Sequence, residues 1–268
     1  MVREKAAIFV DNSNIFKGLI GFSRKLRKKG KLAEGKMLHL DWLKTLSFLE
    51  KEYGPRDIFA RHFFATLPPA PIVANLRQIP TEDEWKKLVE QSTQEGFYKK
   101  IQEKPFNFKL HWVPLKRARV ECKWQMLRAN KLCIGAGVGH LPCKNQINPK
   151  ECEECTKTYL RQYEKGLDVD LSVEIIRFVV YHGAAVHTII IAAGDGDYKK
   201  AAEYIRTESG KEVQIVSWSD ALAKDLRDLG TQPVAILDDL WEKLCYITTE
   251  KDVKEIPVSA LEPEAIPL

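Results

Sequence analysis

Two aspartates separated by one glycine follow an apolar run in the C-terminal half of the chain. The stretch IIIAAGDGDYKK, residues 189–200, places Asp195 and Asp197 directly after isoleucine and alanine residues. Glycine permits sharp turns and the close approach of a ligand. We therefore expect Gly194 and Gly196 to let one loop present both carboxylates to the same space.

Two more aspartates occupy positions where active sites form in parallel sheets. Asp11 ends the apolar run AAIFV at residues 6–10, and Asp168 follows Gly166 near the start of a predicted helix. Sites in open parallel sheets lie beyond the carboxyl ends of the strands, and a helix N-terminus favours negative charge. If the two apolar runs are neighbouring strands, all four aspartates converge in one crevice. Asp170 would point about 200° away from Asp168 on a regular helix.

Such a group of carboxylates implies a bound cation. Several carboxylates in one cleft raise each other's pKa values unless cations neutralise them. Oxygen ligands with little nearby His or Cys favour Mg²⁺ or Mn²⁺ over zinc. Such an ion polarises a phosphoryl oxygen and activates water for attack on phosphorus. The expected chemistry is phosphodiester hydrolysis; the alternative is that each aspartate is an ordinary cap of a turn or helix.

The elements that would position these residues alternate between strand and helix. Apolar runs predict strands at residues 6–10, 56–66, 106–115, 187–194 and 212–218. Helical spacing and capping residues predict helices from Ile15 into residues 23–31 and at 41–53, 81–101, 170–183, 197–210 and 219–230, and residues 233–247 predict a strand and then a helix. This alternation predicts an α/β fold with an open, doubly wound, mostly parallel sheet.

Three segments resemble the signature blocks of the NYN domain of the LabA-like type, in the PIN-like nuclease superfamily. These are IFVDNSN, KGLDVDLSVEII and IIIAAGDGDYKKAAEYIRTESGKEVQIVSW. The resemblance implies a PIN-like sheet and metal-dependent ribonuclease activity. It implies metal-binding catalytic carboxylates at Asp11, Asp168, Asp195 and Asp197, with Asn14 and Glu174 in supporting positions; Asp170 is a further supporting candidate from its position beside Asp168. Two departures are that Ala193 replaces the usual Ser and that Glu174 stands where Asp is common.

Four cysteines cluster in a segment with few large apolar residues. They are Cys133, Cys143, Cys152 and Cys155. A tetrahedral structural zinc would supply the cross-link that this segment cannot obtain from a core, and the spacing of Cys152 and Cys155 suits chelation by one turn. His140 or Cys122 could replace Cys133 or Cys143, and free thiols or a redox pair remain the alternative. Cys245, in a predicted apolar helix, is expected in the core.

The domain organisation expected from these patterns has three parts. Residues 1–115 and 164–247 together form the α/β domain, residues 116–163 form the cysteine-rich insertion, and residues 248–268 form a C-terminal tail. No run of about 18 apolar residues is present to span a bilayer. Charged residues occupy the place of a signal peptide's apolar segment, so we expect a cytoplasmic protein with reduced or metal-bound thiols.

Charge is divided unevenly along the chain. Residues 1–165 carry 32 Lys and Arg against 18 Asp and Glu, whereas residues 166–268 carry 10 against 19. The basic residues form two clusters, Arg24, Lys25, Arg27, Lys28, Lys29 and Lys31, and Lys116, Arg117, Arg119, Lys123 and Arg128. Clustered Lys and Arg side chains bind the phosphates of nucleic acids without sequence preference. We therefore expect a nucleic acid as partner, and the resemblance implies RNA, expected to be single-stranded; solvated helix faces are the alternative.

Two tryptophans flank the second basic cluster and could stack on unpaired bases. They are Trp112 and Trp124, of which Trp112, on a predicted strand, is expected in the core. Five histidines in or beside apolar segments show no ligand spacing and are interpreted as structural: His39, His62, His111, His182 and His187.

The function predicted from the sequence is that of a metal-dependent ribonuclease. The alternative is a non-catalytic RNA-binding adaptor with an inactive acidic pocket. A phosphatase or nucleotidase of similar topology is disfavoured by the open basic surface.

Overall fold

A computed structural model of the chain describes residues 4–52, 56–66, 94–113, 116–120, 159–163, 166–230 and 234–249. Elements are numbered within these ranges. The strands are β1 (Glu4–Asp11), β2 (Lys36–Leu40), β3 (Arg56–Thr66), β4 (Lys109–Val113), β5 (Lys116–Val120), β6 (Tyr159–Tyr163), β7 (Thr188–Ala192), β8 (Glu212–Ser217), β9 (Ala235–Ile236) and β10 (Cys245–Thr249). The helices are α1 (Asn12–Lys28), α2 (Trp42–Lys51), α3 (Gln94–Gln102), α4 (Leu167–His182), α5 (Lys199–Thr207), α6 (Lys224–Arg227) and α7 (Leu237–Leu244).

Six strands form one sheet in the order β4-β3-β1-β7-β8-β9, and every pairing within it is parallel. The predicted α/β class and parallel sheet are thereby confirmed. From β1 the chain builds one half of the sheet through β3 and β4, and it then returns to the other side of β1 with β7. The order therefore reverses between β1 and β7, which is where ligands bind in sheets of this type.

Helices cover both faces of this sheet because alternate residues of the central strands are buried in opposite directions. In β1, Ile8 and Val10 belong to a core shared with α1, α2 and α7. Ala7 and Phe9 belong to a second core, shared with α4 and α5. All five residues of β7 are buried. The alternation places Asp11 on the α4 face of the sheet.

Several element boundaries differ from the predictions for local reasons. Helix α1 begins at Asn12, earlier than predicted, because the Asp11 carboxylate caps it. Strand β4 begins only at Lys109, because Asn107 adopts a φ of 51° that interrupts an extended chain. Helix α3 occupies the end of the helix predicted at 81–101, and residues 67–93 lie outside the described residues.

The helix predicted at residues 219–230 is wrong except for one turn, α6. Ser219 does not cap a helix; its backbone N–H and its hydroxyl both donate to the Asp238 carboxylate of α7, at 2.6 and 2.7 Å. The backbone N–H of Ala223 donates to the carbonyl of Gly194 at 2.7 Å. Residues 219–223 are therefore bonded to two other parts of the chain, and they form a loop instead of the first turns of a helix.

The C-terminal element is also different from the prediction. Cys245 begins strand β10 instead of lying in a helix, and β10 pairs antiparallel with β2, a strand that the sequence did not indicate. Cys245 is half-buried and packs against the first core, which agrees with a packing role. Thr248 and Thr249 belong to this strand, and the rest of the expected tail lies outside the described ranges.

Strands β5 and β6 form the two ends of the expected cysteine-rich insertion, residues 116–163. They pair antiparallel with each other, from Lys116 opposite Tyr163 to Val120 opposite Tyr159. The residues between them, including the four cysteines expected to bind zinc, lie outside the described residues. The zinc module and its boundaries therefore stay predictions. None of the helices in the part of the chain described is long and apolar enough to cross a membrane.

Cys245 should be chemically inert in the folded protein. Burial, and to a lesser degree the charge of Asp41, raises the pKa of its thiol to about 12, so little thiolate exists at neutral pH. We expect iodoacetamide to modify Cys245 much more slowly in the native protein than in denaturant. Peptide mass spectrometry after timed labelling measures both rates in one digest. Comparable rates in the two conditions would contradict the burial of this thiol.

Candidate active site at the carboxyl ends of β1 and β7

Asp11 lies at the carboxyl end of β1 and is only 5% exposed. Its Oδ1 accepts a hydrogen bond from the backbone N–H of Asn14 at 2.9 Å, which caps helix α1. Its Oδ2 accepts a hydrogen bond from the Tyr198 hydroxyl at 2.6 Å. The carboxylate is thus held in one orientation by donors from two distant parts of the chain.

Asn14 joins α1 to the loop after β7. Its Oδ1 accepts a hydrogen bond from the backbone N–H of Gly194 at 2.8 Å. Because the predicted pairing of β1 with β7 is present, with Val10 opposite Ala192, this contact spans neighbouring strand ends. Asn14 therefore fixes the position of the loop that carries the two further aspartates.

Asp195 and Asp197 lie on that loop, and both are exposed. Oδ1 of Asp195 accepts from the backbone N–H of Asp197 at 3.3 Å and caps a short 3₁₀ turn, Gly196–Tyr198. The glycines do not have the role expected for them, because neither Gly194 nor Gly196 has a positive φ. Gly194 is required for space: a Cβ there would lie 2.3 Å from the carbonyl oxygen of Ala221.

Asp168 approaches the same region from the first turn of α4, where it is half-buried. Gly166 precedes the helix with a φ of 94°, a conformation that favours glycine. Asp170 is exposed two residues further along α4, and lies about 200° around the helix from Asp168. The helix N-terminus stabilises both negative charges.

Tyr198 is the centre of this acidic group, and sequence reasoning assigned it no role. Burial raises the pKa of its hydroxyl strongly, and the nearby negative charges of Asp11, Asp168 and Asp195 raise it further. Three of the four predicted aspartates therefore act electrostatically on one buried hydroxyl. The only sequence signal for Tyr198 was an aromatic residue directly after Asp197.

The predicted aspartates do not place three carboxylate oxygens within 4.8 Å of one another. Among the described residues, three other side chains do place potential ligand atoms within 4.8 Å of one another. They are His62, His111 and Glu174. Mg²⁺ commonly keeps several waters and binds through one or two carboxylates. The donor set of exposed Asp195 and Asp197 and half-buried Asp168 fits such an ion with water between it and some of the carboxylates.

Glu174 lies away from the aspartates. It follows Asp168 by six residues on α4, which is about 9 Å along the helix. Its Oε1 lies 3.9 Å from Nδ1 of His62 and 3.5 Å from Nζ of Lys109, and its Oε2 lies 3.2 Å from Arg177. Burial, and secondarily His111, lowers the pKa of His62 to about 4, and burial also lowers the pKa of His111.

Part of the first basic cluster lines a cleft of about 970 Å³ between α1 and α7. Its basic walls come from Lys25, Lys29, Lys31 and Arg227, and its aromatic walls from Phe22 and Trp241. Asp238 and Asp239 also line it. Ser219 on one wall belongs to the loop that packs against Gly194, so this loop separates the cleft from the acidic turn.

The basic residues of the two predicted clusters differ in their individual contacts. The Arg27 guanidinium donates to the Lys36 carbonyl at 2.7 Å, a contact that holds β2 to α1, and Lys25 pairs with Asp220 at 2.5 Å. Arg24, Lys28 and Lys29 are exposed. Lys116, Arg117 and Arg119 lie in β5, and Lys123 lies outside the described ranges.

Trp112 is not in the core, contrary to the expectation for its strand. Its side chain is 44% exposed and contacts the edge of Tyr98, with ring centroids 4.9 Å apart. Tyr98 in turn accepts a hydrogen bond at 3.2 Å from Asn12, the residue after Asp11. Tyr98 belongs to the first core, so this exposed ring lies on the α1 side of the sheet.

Comparison with known families agrees with this arrangement. Residues 136–237 match the family model of the NYN domain, over a range that includes Asp168, Asp195 and Asp197. This part of the chain is therefore similar to NYN domains, which are of the PIN-like type. Strands β1, β3 and β4 lie outside the matched range but belong to the same sheet as β7 and β8.

Other comparisons add little. A search of the curated proteins finds no match. Among solved structures, the chain is similar to a protein of unknown function from Vibrio parahaemolyticus, with a TM-score of 0.46 and 14% identity, over 89% of this chain and 96% of that one. At this low similarity, the fold assignment rests on the strand order and the NYN match.

Replacing Gly194 by Ala should destabilise the NYN domain and displace the acidic turn. The added Cβ would overlap the backbone of Ala221, which cannot rotate away. We expect the free energy of unfolding in urea to fall by about 2–3 kcal/mol. Gly196→Ala is the matched control, because its Cβ would lie 3.5 Å from that of Ala223, an ordinary contact. Equal effects of the two substitutions would contradict this explanation.

Replacing Tyr198 by Phe should remove the hydroxyl that donates to Asp11. Because Tyr198 is fully buried and its acceptor is a nearly buried carboxylate, the expected loss of unfolding free energy is about 1.5–3 kcal/mol. Urea unfolding measures the loss. Tyr204→Phe, in the following helix and only partly buried, is the control and should change stability little. A neutral Tyr198→Phe variant would show that the hydrogen bond contributes nothing.

Proposed function

We propose that this NYN-domain protein is a metal-dependent ribonuclease that hydrolyses phosphodiester bonds in single-stranded RNA. The catalytic carboxylates are Asp11, Asp168, Asp195 and Asp197, and the cofactor is Mg²⁺ or Mn²⁺. The observation that carries the proposal is the meeting of separate segments at the carboxyl ends of β1 and β7, where Asn14 accepts from Gly194 and Tyr198 donates to Asp11. Like charges gathered at a sheet's switch point favour a bound divalent cation.

The four aspartates have different tasks in this proposal. Asp195 and Asp197 are exposed and supply oxygen ligands at the mouth of the site, and Asp168 supplies a third from the start of α4. Asp11 is held by Asn14 and Tyr198 and sets the negative potential behind them. When bound, the ion supplies charge neutralisation and polarises a phosphoryl oxygen.

Asn14 positions the site without contacting substrate, because its bond to Gly194 fixes the loop of Asp195 and Asp197. Asp170 adds negative charge from the outer side of α4. We assign Glu174 no role in cleavage, since its contacts are with His62, Lys109 and Arg177.

The basic cleft supports RNA as the substrate. Lys29, Lys31 and Arg227 line a cleft next to the loop that supports the acidic turn, so a phosphate chain bound there can continue toward the aspartates. On the other side, Trp112 presents an exposed ring on which an unpaired base can stack. A single-stranded substrate uses both surfaces, because its bases are free.

One observation favours the second candidate, a non-catalytic RNA-binding adaptor. Both oxygens of Asp11 already accept hydrogen bonds within the protein, and the residue is nearly buried. An acidic group stabilised in this way can persist without an ion. The adaptor retains the basic cleft and loses only the cleavage.

Cleavage of labelled single-stranded RNA distinguishes the two functions. We expect Mn²⁺-dependent cleavage that EDTA abolishes and that Asp195→Asn reduces on the order of 100-fold, because it removes one charge from the metal-binding group. Asp57→Asn is the matched control, since Asp57 is exposed at the amino end of β3, the opposite edge of the sheet.

Binding to the same RNA is measured in parallel by electrophoretic mobility shift. RNA binding without metal-dependent cleavage would establish the adaptor instead of the nuclease. Activity on mononucleotides but not on RNA would establish a phosphatase.

A further inference from the structure

A second group of potential ligands lies between the sheet and α4, apart from the aspartates. His62 is on β3, His111 is on the neighbouring strand β4, and Glu174 is on the helix that packs over them. Nδ1 of His62 lies 3.0 Å from Nε2 of His111 and 3.9 Å from Oε1 of Glu174. One ligand atom from each residue lies within 4.8 Å of the other two.

The surrounding aromatic rings hold the two imidazoles in place. His62 stacks on Phe9 with centroids 4.6 Å apart, and His111 stacks on Phe64 at 4.3 Å. The edge of Phe178, from α4, packs against His62. Because both histidines are carried by paired strands of the central sheet, their separation is set by strand register and not by a flexible loop.

Two imidazole nitrogens and one carboxylate oxygen form a donor set that suits zinc and related transition metals. A tetrahedral ion with bonds of about 2.0–2.1 Å separates its ligand atoms by roughly 3.3 Å. The separations of 3.0 and 3.9 Å from His62 lie on either side of this value. His111 and Glu174 are partly exposed, so the group has an open side through which an ion enters and a fourth ligand binds.

We propose that His62, His111 and Glu174 bind a divalent transition-metal ion of the zinc type, separate from the ion held by the aspartates. The competing explanation is that Glu174 is neutralised by Lys109 and Arg177 alone. Those two side chains are 66% and 65% exposed, and surface ion pairs contribute little free energy. They can therefore give way to a divalent ion that bonds directly to the carboxylate.

Metal stoichiometry of the full chain tests this site independently of RNA cleavage. Purified protein is dialysed against buffered micromolar Zn²⁺, and bound zinc per chain is measured by elemental analysis. We expect His111→Ala and Glu174→Gln each to bind one zinc ion fewer than the wild type, whatever the cysteines or aspartates bind. His39→Gln is the control, because His39 is bonded to Thr248 in the small β2–β10 sheet, and it should retain the wild-type number.

Cobalt identifies the ligands of the missing ion. The difference between the Co²⁺ spectra of the wild type and His111→Ala should show ligand-field absorption without a near-ultraviolet thiolate charge-transfer band. A thiolate band in that difference, or a wild-type zinc number in either variant, would overturn the site. Circular dichroism checks that each variant is folded; Glu174→Gln, on a helix surface, keeps the test valid if His111→Ala unfolds.

Discussion

The parallel pairing of β1 with β7 is the constraint on which the acidic group depends. The two strands are far apart in the sequence, and Val10 lies opposite Ala192. Two hydrogen bonds then join the segments that follow these strands: Gly194 donates to Asn14, and Tyr198 donates to Asp11. Each of these bonds requires the register of the two strands, because a shift by one residue would turn Asp11 to the other face of the sheet.

The surroundings of the acidic residues at the ends of β1 and β7 reduce the electrostatic repulsion between them. Asp11 is nearly buried and is compensated by a backbone N–H and a tyrosine hydroxyl, whereas Asp195 and Asp197 remain in contact with water. Asp168 gains from the positive end of the α4 dipole. The negative charges of Asp11 and Asp168 are therefore stabilised by nearby protein groups, and those of Asp195 and Asp197 by water.

The sequence predicted those features that depend on local pattern. Apolar runs ending in Asp11 and Asp195 marked the two central strands, and glycine and capping residues marked α4 and α5. The features that it missed depend on partners far along the chain. Strand β2 exists because it pairs with β10, about 200 residues away, and Ser219 fails to cap a helix because Asp238 takes its donors.

The same limit applies to the candidate sites. Tyr198 was assigned no role, since nothing near it in sequence shows that its hydroxyl meets Asp11. His62 and His111 looked structural because each is isolated on its own strand, and only the register of β3 with β4 brings them together. Trp112 was placed in the core because alternation along a strand does not show which face remains open at the sheet edge.

The β5–β6 ladder has a consequence for how this protein can vary in length. Val120 and Tyr159 are paired, so the two ends of the intervening 121–158 segment are held roughly 5 Å apart whatever that segment contains. The entropy of closing a loop grows only slowly with its length, by about 0.6 kcal/mol for each doubling. Evolution could thus lengthen, shorten or exchange this segment with little effect on the six-stranded sheet.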